Sequence, residues 1–163
     1  MNQFYEKVMK KFLSAAITLF ASLIFTLPQA AAQDSTAYVK ASWQGLDFEM
    51  PEGLVENREK GYIAKSPDGS FGVSLSQADS RSINQKRAAS LCQGLARQMH
   101  IARPEVKLVK INGMKGAIAT GDLENKRVSI LILASGGNQI EAVVINDPSR
   151  SAWADHFFRT FSR

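Results

Sequence analysis

The chain has 163 residues and 17.9 kDa, enough for one domain and too short for two ordinary ones. Twenty Lys and Arg against fifteen Asp and Glu leave a charge of +5, which favours solubility but lacks the clustered basic face that nucleic acid requires. One cysteine excludes an internal disulfide framework, two histidines argue against a histidine-based metal site, and 45% hydrophobic with 21% charged residues is globular composition.

Residues 1–32 read as a secretory signal peptide. Phe12 to Leu27 carries no charge, Lys10 and Lys11 precede it, and Pro28-Gln29-Ala30-Ala31-Ala32 follows. The lysines hold the N-terminus at the cytoplasmic face, the apolar helix enters the translocon, and the small side chains fit the peptidase. Sixteen residues at 1.5 Å rise span about 24 Å, short of the roughly 30 Å hydrocarbon core. Cleavage is expected after Ala32. Met9-Lys10-Lys11 would itself make a conventional signal start. No cysteine near the cleavage site offers itself for acylation, so the expected product is a released periplasmic or secreted monomer without a membrane span.

The rest reads as a loose lead-in over 33–43 and a single α+β domain over 44–163. Leu46, Phe48 and Met50 alternate with Asp47 and Glu49, the period of a half-buried strand. Pro51-Glu52-Gly53 breaks it. Tyr62 to Ser66 and Ser70 to Gln77 flank a Ser66-Pro67-Asp68-Gly69 turn. Ser82-Ile83-Asn84-Gln85 fits a capping box, and Ala88, Leu91, Cys92, Leu95, Ala96 and Met99 then form one helical stripe. Residues 106–146 predict a four-strand meander, with Asn112-Gly113 its strongest turn signal. Val128 to Ala134 and Ile140 to Ile145 are apolar on both faces, so both faces need cover. Asp147-Pro148 opens a second helix, whose Trp153, Ala154, Phe157, Phe158 and Phe161 make its apolar side. The expected architecture is an antiparallel sheet of about six to seven strands flanked by two main helices, in the order β-β-β-α-β-β-β-β-α.

The “LDFEMPEGL” opening, the “GYIAKSPDGSFGVSLS” hairpin, the helix, the “INGMKGAIATGDLENKRVSILILASGGNQIEAVVIND” meander and the closing aromatic helix together resemble the PsbP-like superfamily. That group includes the photosystem II extrinsic proteins and bacterial DcrB-like envelope proteins. The resemblance is one of pattern, over residues 44–163, and it implies a non-catalytic accessory or binding module. The metal roles of the plant proteins do not carry over, because no matched ligand residues stand here.

Read singly, the reactive side chains point to no catalytic residue, cofactor or metal. Cys92 sits between Leu91 and Leu95 on the apolar stripe, where free cysteine behaves as a small hydrophobe. His100 and His156 have no nucleophile elbow to serve, and each is expected at the surface. Gly136-Gly137 precedes a strand, so it is a hairpin turn and not a phosphate cradle. Asp122, Glu124 and Glu141 lack the dense spacing of a calcium loop and are expected in solvent. The densest basic region is Arg103, Lys107, Lys110 and Lys115. It is either a partner-binding surface or the lysine guard of an edge strand. The leading expectation is an exported, non-enzymatic envelope module that binds an unidentified protein or envelope component. Two alternatives stand beside it: a secretion chaperone or adhesion factor using an apolar sheet face, left uncovered at Leu131, Leu133, Val143 and Ile145, and a small hydrolase with an unrecognised active site.

Overall fold

Left-handed backbone at two-residue turns sets the strand connections of the computed structural model, which describes residues 36–59, 61–79 and 83–163. The signal segment lies outside those residues. Asn112 and Gly113 adopt φ of 44° and 88°, as their turn signal predicts. Gln44 and Gly45 do the same at 49° and 76°, a turn that the sequence pattern did not announce. The strands are β1 (Tyr38–Trp43), β2 (Leu46–Pro51), β3 (Val55–Asn57), β4 (Tyr62–Lys65) and β5 (Phe71–Asp79), followed by helix α1 (Gln85–Gln98). Then come β6 (Ala102–Ile111), β7 (Met114–Leu123), β8 (Lys126–Ser135), β9 (Asn138–Asn146) and helix α2 (Ser151–Thr160).

Seven strands form one antiparallel sheet in the order β3-β4-β5-β9-β8-β7-β6, while β1 and β2 pair as a separate hairpin. The α+β architecture with two helices is the one expected, but two strands are additional. The loose lead-in ends early. Residues 38–43 form β1, because β2 needs an antiparallel partner and the Gln44-Gly45 turn folds them back upon it. β3 is the other addition, three exposed residues at the sheet margin.

Both faces of the central strands are covered, because side chains alternate across β8 and β9. One face carries Leu131, Leu133, Ala142 and Val144 and packs against Leu46, Phe48 and Met50 of β2 and Phe157 and Phe161 of α2. The Phe48 ring lies 5.4 Å from that of Phe157 and 5.9 Å from that of Phe161. The opposite face carries Ile130, Ile132, Val143 and Ile145 beneath Ala88, Cys92, Leu95 and Ala96 of α1. Leu131, Leu133, Val143 and Ile145 are therefore all buried, and the uncovered apolar sheet face considered above does not exist.

The helix starts differ in detail from expectation. Asn84 caps α1, its side chain accepting from the Arg87 N–H, so the cap stands two residues beyond Ser82. Asp147 precedes a single 3₁₀ turn, Pro148–Arg150, before α2 begins, and its carboxylate meets Lys126 Nζ at 2.5 Å instead of capping a helix. The hairpin β1–β2 is tied to α2 by main chain and side chain. Asp47 and Ser162 exchange N–H···O bonds of 2.9 and 2.8 Å, and the Glu49 N–H donates to Thr160 Oγ1.

Candidate functional site

Because α2 covers one face of the sheet without reaching its β6 margin, a groove of about 650 Å³ remains between the β6–β7 hairpin and the helix. Val109, Ile111, Ile118 and Phe158 give it apolar walls. Asn112, Asp155 and Arg159 bring polar groups to it, and Lys110 borders it along β6. Asn112 Nδ2 donates to the Phe161 carbonyl at 2.7 Å, so the hairpin tip is braced against the end of α2. Phe158 enters the groove for a simple reason. Consecutive residues on a helix point about 100° apart, so Phe157 and Phe158 meet different parts of the same core. Phe157 is fully buried, and Phe158, 9% exposed in the same core cluster, is the one that also lines the groove.

The four basic residues lie on or beside β6, which is the last strand of its sheet. They do not share one face. Lys107 stands opposite Ile118 on the α2 side and meets Glu105 at 3.1 Å. Lys110 and Lys115 stand directly opposite each other on the α1 side. Arg103 sits in the register shift between Ala102 and Glu105, with φ of 46°. Beside them Leu108 is 58% exposed, a large apolar residue on the same side as Lys110.

The other candidates have structural surroundings. Cys92 is fully buried, its Sγ 3.3 Å from the Ala117 carbonyl oxygen. Burial, with the nearby Glu141 charge, pushes its thiol up to about 12, which leaves almost no thiolate at neutral pH. His156 is not a free surface group. Its Nε2 lies 2.8 Å from Glu49 Oε2, and the Tyr38 ring stacks on it at 3.7 Å. These contacts pin β1 and β2 to α2. His100 is exposed just past α1, in left-handed backbone. Asp122 is exposed and lies 3.5 Å from Arg127, and Glu124 is exposed in the β7–β8 turn.

Glu141 corrects its expectation. It is buried, because β9 runs in the middle of the sheet between β5 and β8. Burial alone pushes its carboxyl up to about 7. At the far margin Glu56 shows the opposite balance. Burial works to raise its pKa, but hydrogen bonds from Arg58 and Tyr62 and the Arg58 charge hold it below the usual carboxylate range. Among the described residues no group of three or more His, Cys, Asp or Glu is placed to hold a metal ion.

The backbone arrangement matches that of a solved structure. The solution structure of cyanobacterial PsbP (CyanoP) from Synechocystis sp. PCC 6803 superposes with a TM-score of 0.59, covering 83% of this chain and 98% of that one at 10% identity. The fold is PsbP-like. A crystal structure from Bacteroides thetaiotaomicron VPI-5482 matches at a TM-score of 0.49 and 14% identity, over 72% of this chain and 44% of that one. No family model and no curated protein matches the sequence. At 10% identity the PsbP likeness describes backbone arrangement, and function has to be argued from the side chains of this chain. Among the described residues no helix is long and apolar enough to cross a membrane.

The sequence pattern located the basic strand but missed the groove. Its walls come from residues far apart in the chain, Val109 and Phe158 among them, and their meeting depends on where α2 docks. One signal was present: adjacent Phe157 and Phe158, which a helix directs to different neighbours.

Proposed function

We propose that the protein is an exported, non-enzymatic accessory module of the bacterial envelope that binds a protein or envelope component through the β6 margin. The observation that carries this reading is the distribution of cover. The molecule's own elements consume both sheet faces, while among the described residues no strand covers the β6 edge, with exposed Leu108, Lys107 and Lys110 beside a mostly apolar groove. Sheet edges and the loops beside them are where a rigid scaffold can present recognition groups. The chemically reactive side chains support the same reading. Cys92 is buried as a protonated thiol, and His156 is held between Tyr38 and Glu49 as a packing element. Export rests on the charged, apolar and Ala-x-Ala segments of residues 1–32.

The experiment is capture from envelope extract by the tagged protein, compared with the Lys107→Glu/Lys110→Glu variant. Both side chains are exposed, so the reversal is expected to leave the fold intact while weakening capture and its salt dependence. Capture that survives the reversal at low and high salt alike would place the interface elsewhere. Reproducible turnover of any substrate by the purified protein would overthrow the non-enzymatic reading.

A further inference from the structure

The identity of the partner can be narrowed by chemistry, on the basis of the binding role just proposed. Beyond the register shift at Arg103, β6 runs straight from Glu105 to Ile111, and no described strand pairs with its outer side. An extended chain laid along such an edge can bond to the N–H and C=O groups that β7 does not use, the Val109 carbonyl already accepting from Gln85 Nε2 at 3.1 Å, and alternate its side chains between the two faces. Those faces differ here. On the α2 side the added chain would meet the groove walls of Val109, Ile111 and Phe158. On the α1 side it would meet exposed Leu108 and the Lys110–Lys115 pair.

That lysine pair decides the charge. The two residues oppose each other directly across β6 and β7, and like charges in that position repel. Neither has an ion-pair partner among the described residues, and the same holds for Arg159 at the groove. An acidic side chain set beside Lys110 from the open side of β6 offsets the repulsion. A second copy of this chain cannot do so. Pairing two β6 edges would bring Arg103, Lys107 and Lys110 of both copies to one seam, which is the device by which edge strands resist self-association. We propose that β6 accepts an extended acidic peptide segment of another protein as an eighth strand, its apolar side chains entering the groove beside α2 and its alternate acidic side chains meeting Lys110, with Lys115 behind it adding to the same positive patch.

The probe is a fluorescent, end-blocked octapeptide alternating leucine with glutamate, titrated with the purified full chain and read by anisotropy. Binding is expected for this peptide and not for its leucine–lysine counterpart. The Lys110→Glu/Lys115→Glu variant should lose about tenfold or more in affinity for the acidic peptide and gain the basic one, a charge swap that a folding defect cannot imitate. Two further peptides, N-methylated on the leucines or on the glutamates, probe the backbone. In a strand these two sets of N–H groups point to opposite edges, so one peptide should lose binding and the other keep it. Retention by both, or equal binding of acidic and basic peptides, overturns strand addition. If no peptide binds, strand addition also fails, while envelope capture that still depends on Lys107 and Lys110 would leave the broader binding role standing.

Discussion

Replacing Glu141 with glutamine tests how the sheet tolerates a carboxyl that its own strand order buries. Glu141 is 7% exposed, flanked by Ser76 of β5 and Ile132 of β8. Its carboxyl titrates at about 7 in the folded protein against 4.5 when unperturbed. Between those values the folded state holds a proton that the unfolded chain has released, so stability falls as pH rises through the window. At about 1.4 kcal/mol per pH unit, the cost reaches about 3 kcal/mol above pH 7 and vanishes below the unfolded value. Glutamine keeps the shape and cannot ionise, so Glu141→Gln removes the cost. Urea unfolding of both proteins at pH 5 and pH 8 reads it directly. Wild type should lose about 2–3 kcal/mol more than the variant between the two conditions. The shared contributions of Glu56 and Asp68, both held low, cancel in the comparison. Cys92 is raised in the same direction as Glu141 but titrates at higher pH, which is why the comparison stops at 8. Parallel pH dependence of wild type and variant would show that the carboxyl is solvated and the reasoning wrong.

The remaining expectations concern packing, thiol access and export. Phe157 is fully buried against Phe48 and Phe161, so Phe157→Ala should cost about 3–5 kcal/mol, seen as a lower urea midpoint with unchanged slope; an unchanged midpoint would detach α2 from the core. Cys92 should react slowly with a thiol reagent in the native protein and rapidly in denaturant, since both burial and protonation protect it; equal rates would contradict its place on the buried face of α1. Intact-mass analysis of protein recovered from the envelope should begin at Gln33, and a full-length species held in the membrane fraction would refute cleavage after Ala32.

Much of this architecture was legible in local pattern. The period of α1, the Asn112-Gly113 turn and the two-sided apolar runs of β8 and β9 each state a local requirement, and the last of them already demands cover on both sides of a sheet. Tyr38 to Trp43 carried no such signal. β1 has no fully buried residue, and its strand form comes from pairing with β2 and from Tyr38 stacking on His156, contacts that span the chain. The burial of Glu141 was equally hidden, because an acidic residue in an apolar run reads as solvated until strand order puts β9 in the middle of the sheet. The basic residues were visible as a cluster along the chain, but their division between two faces needed the register of β6 against β7. The sequence by itself determined the period of each element and the need for two covering layers, since these follow from side-chain alternation and burial. Tertiary structure decided which strand lies at the edge and where the groove opens, since these depend on long-range pairing and on the docking of α2, which no local pattern encodes.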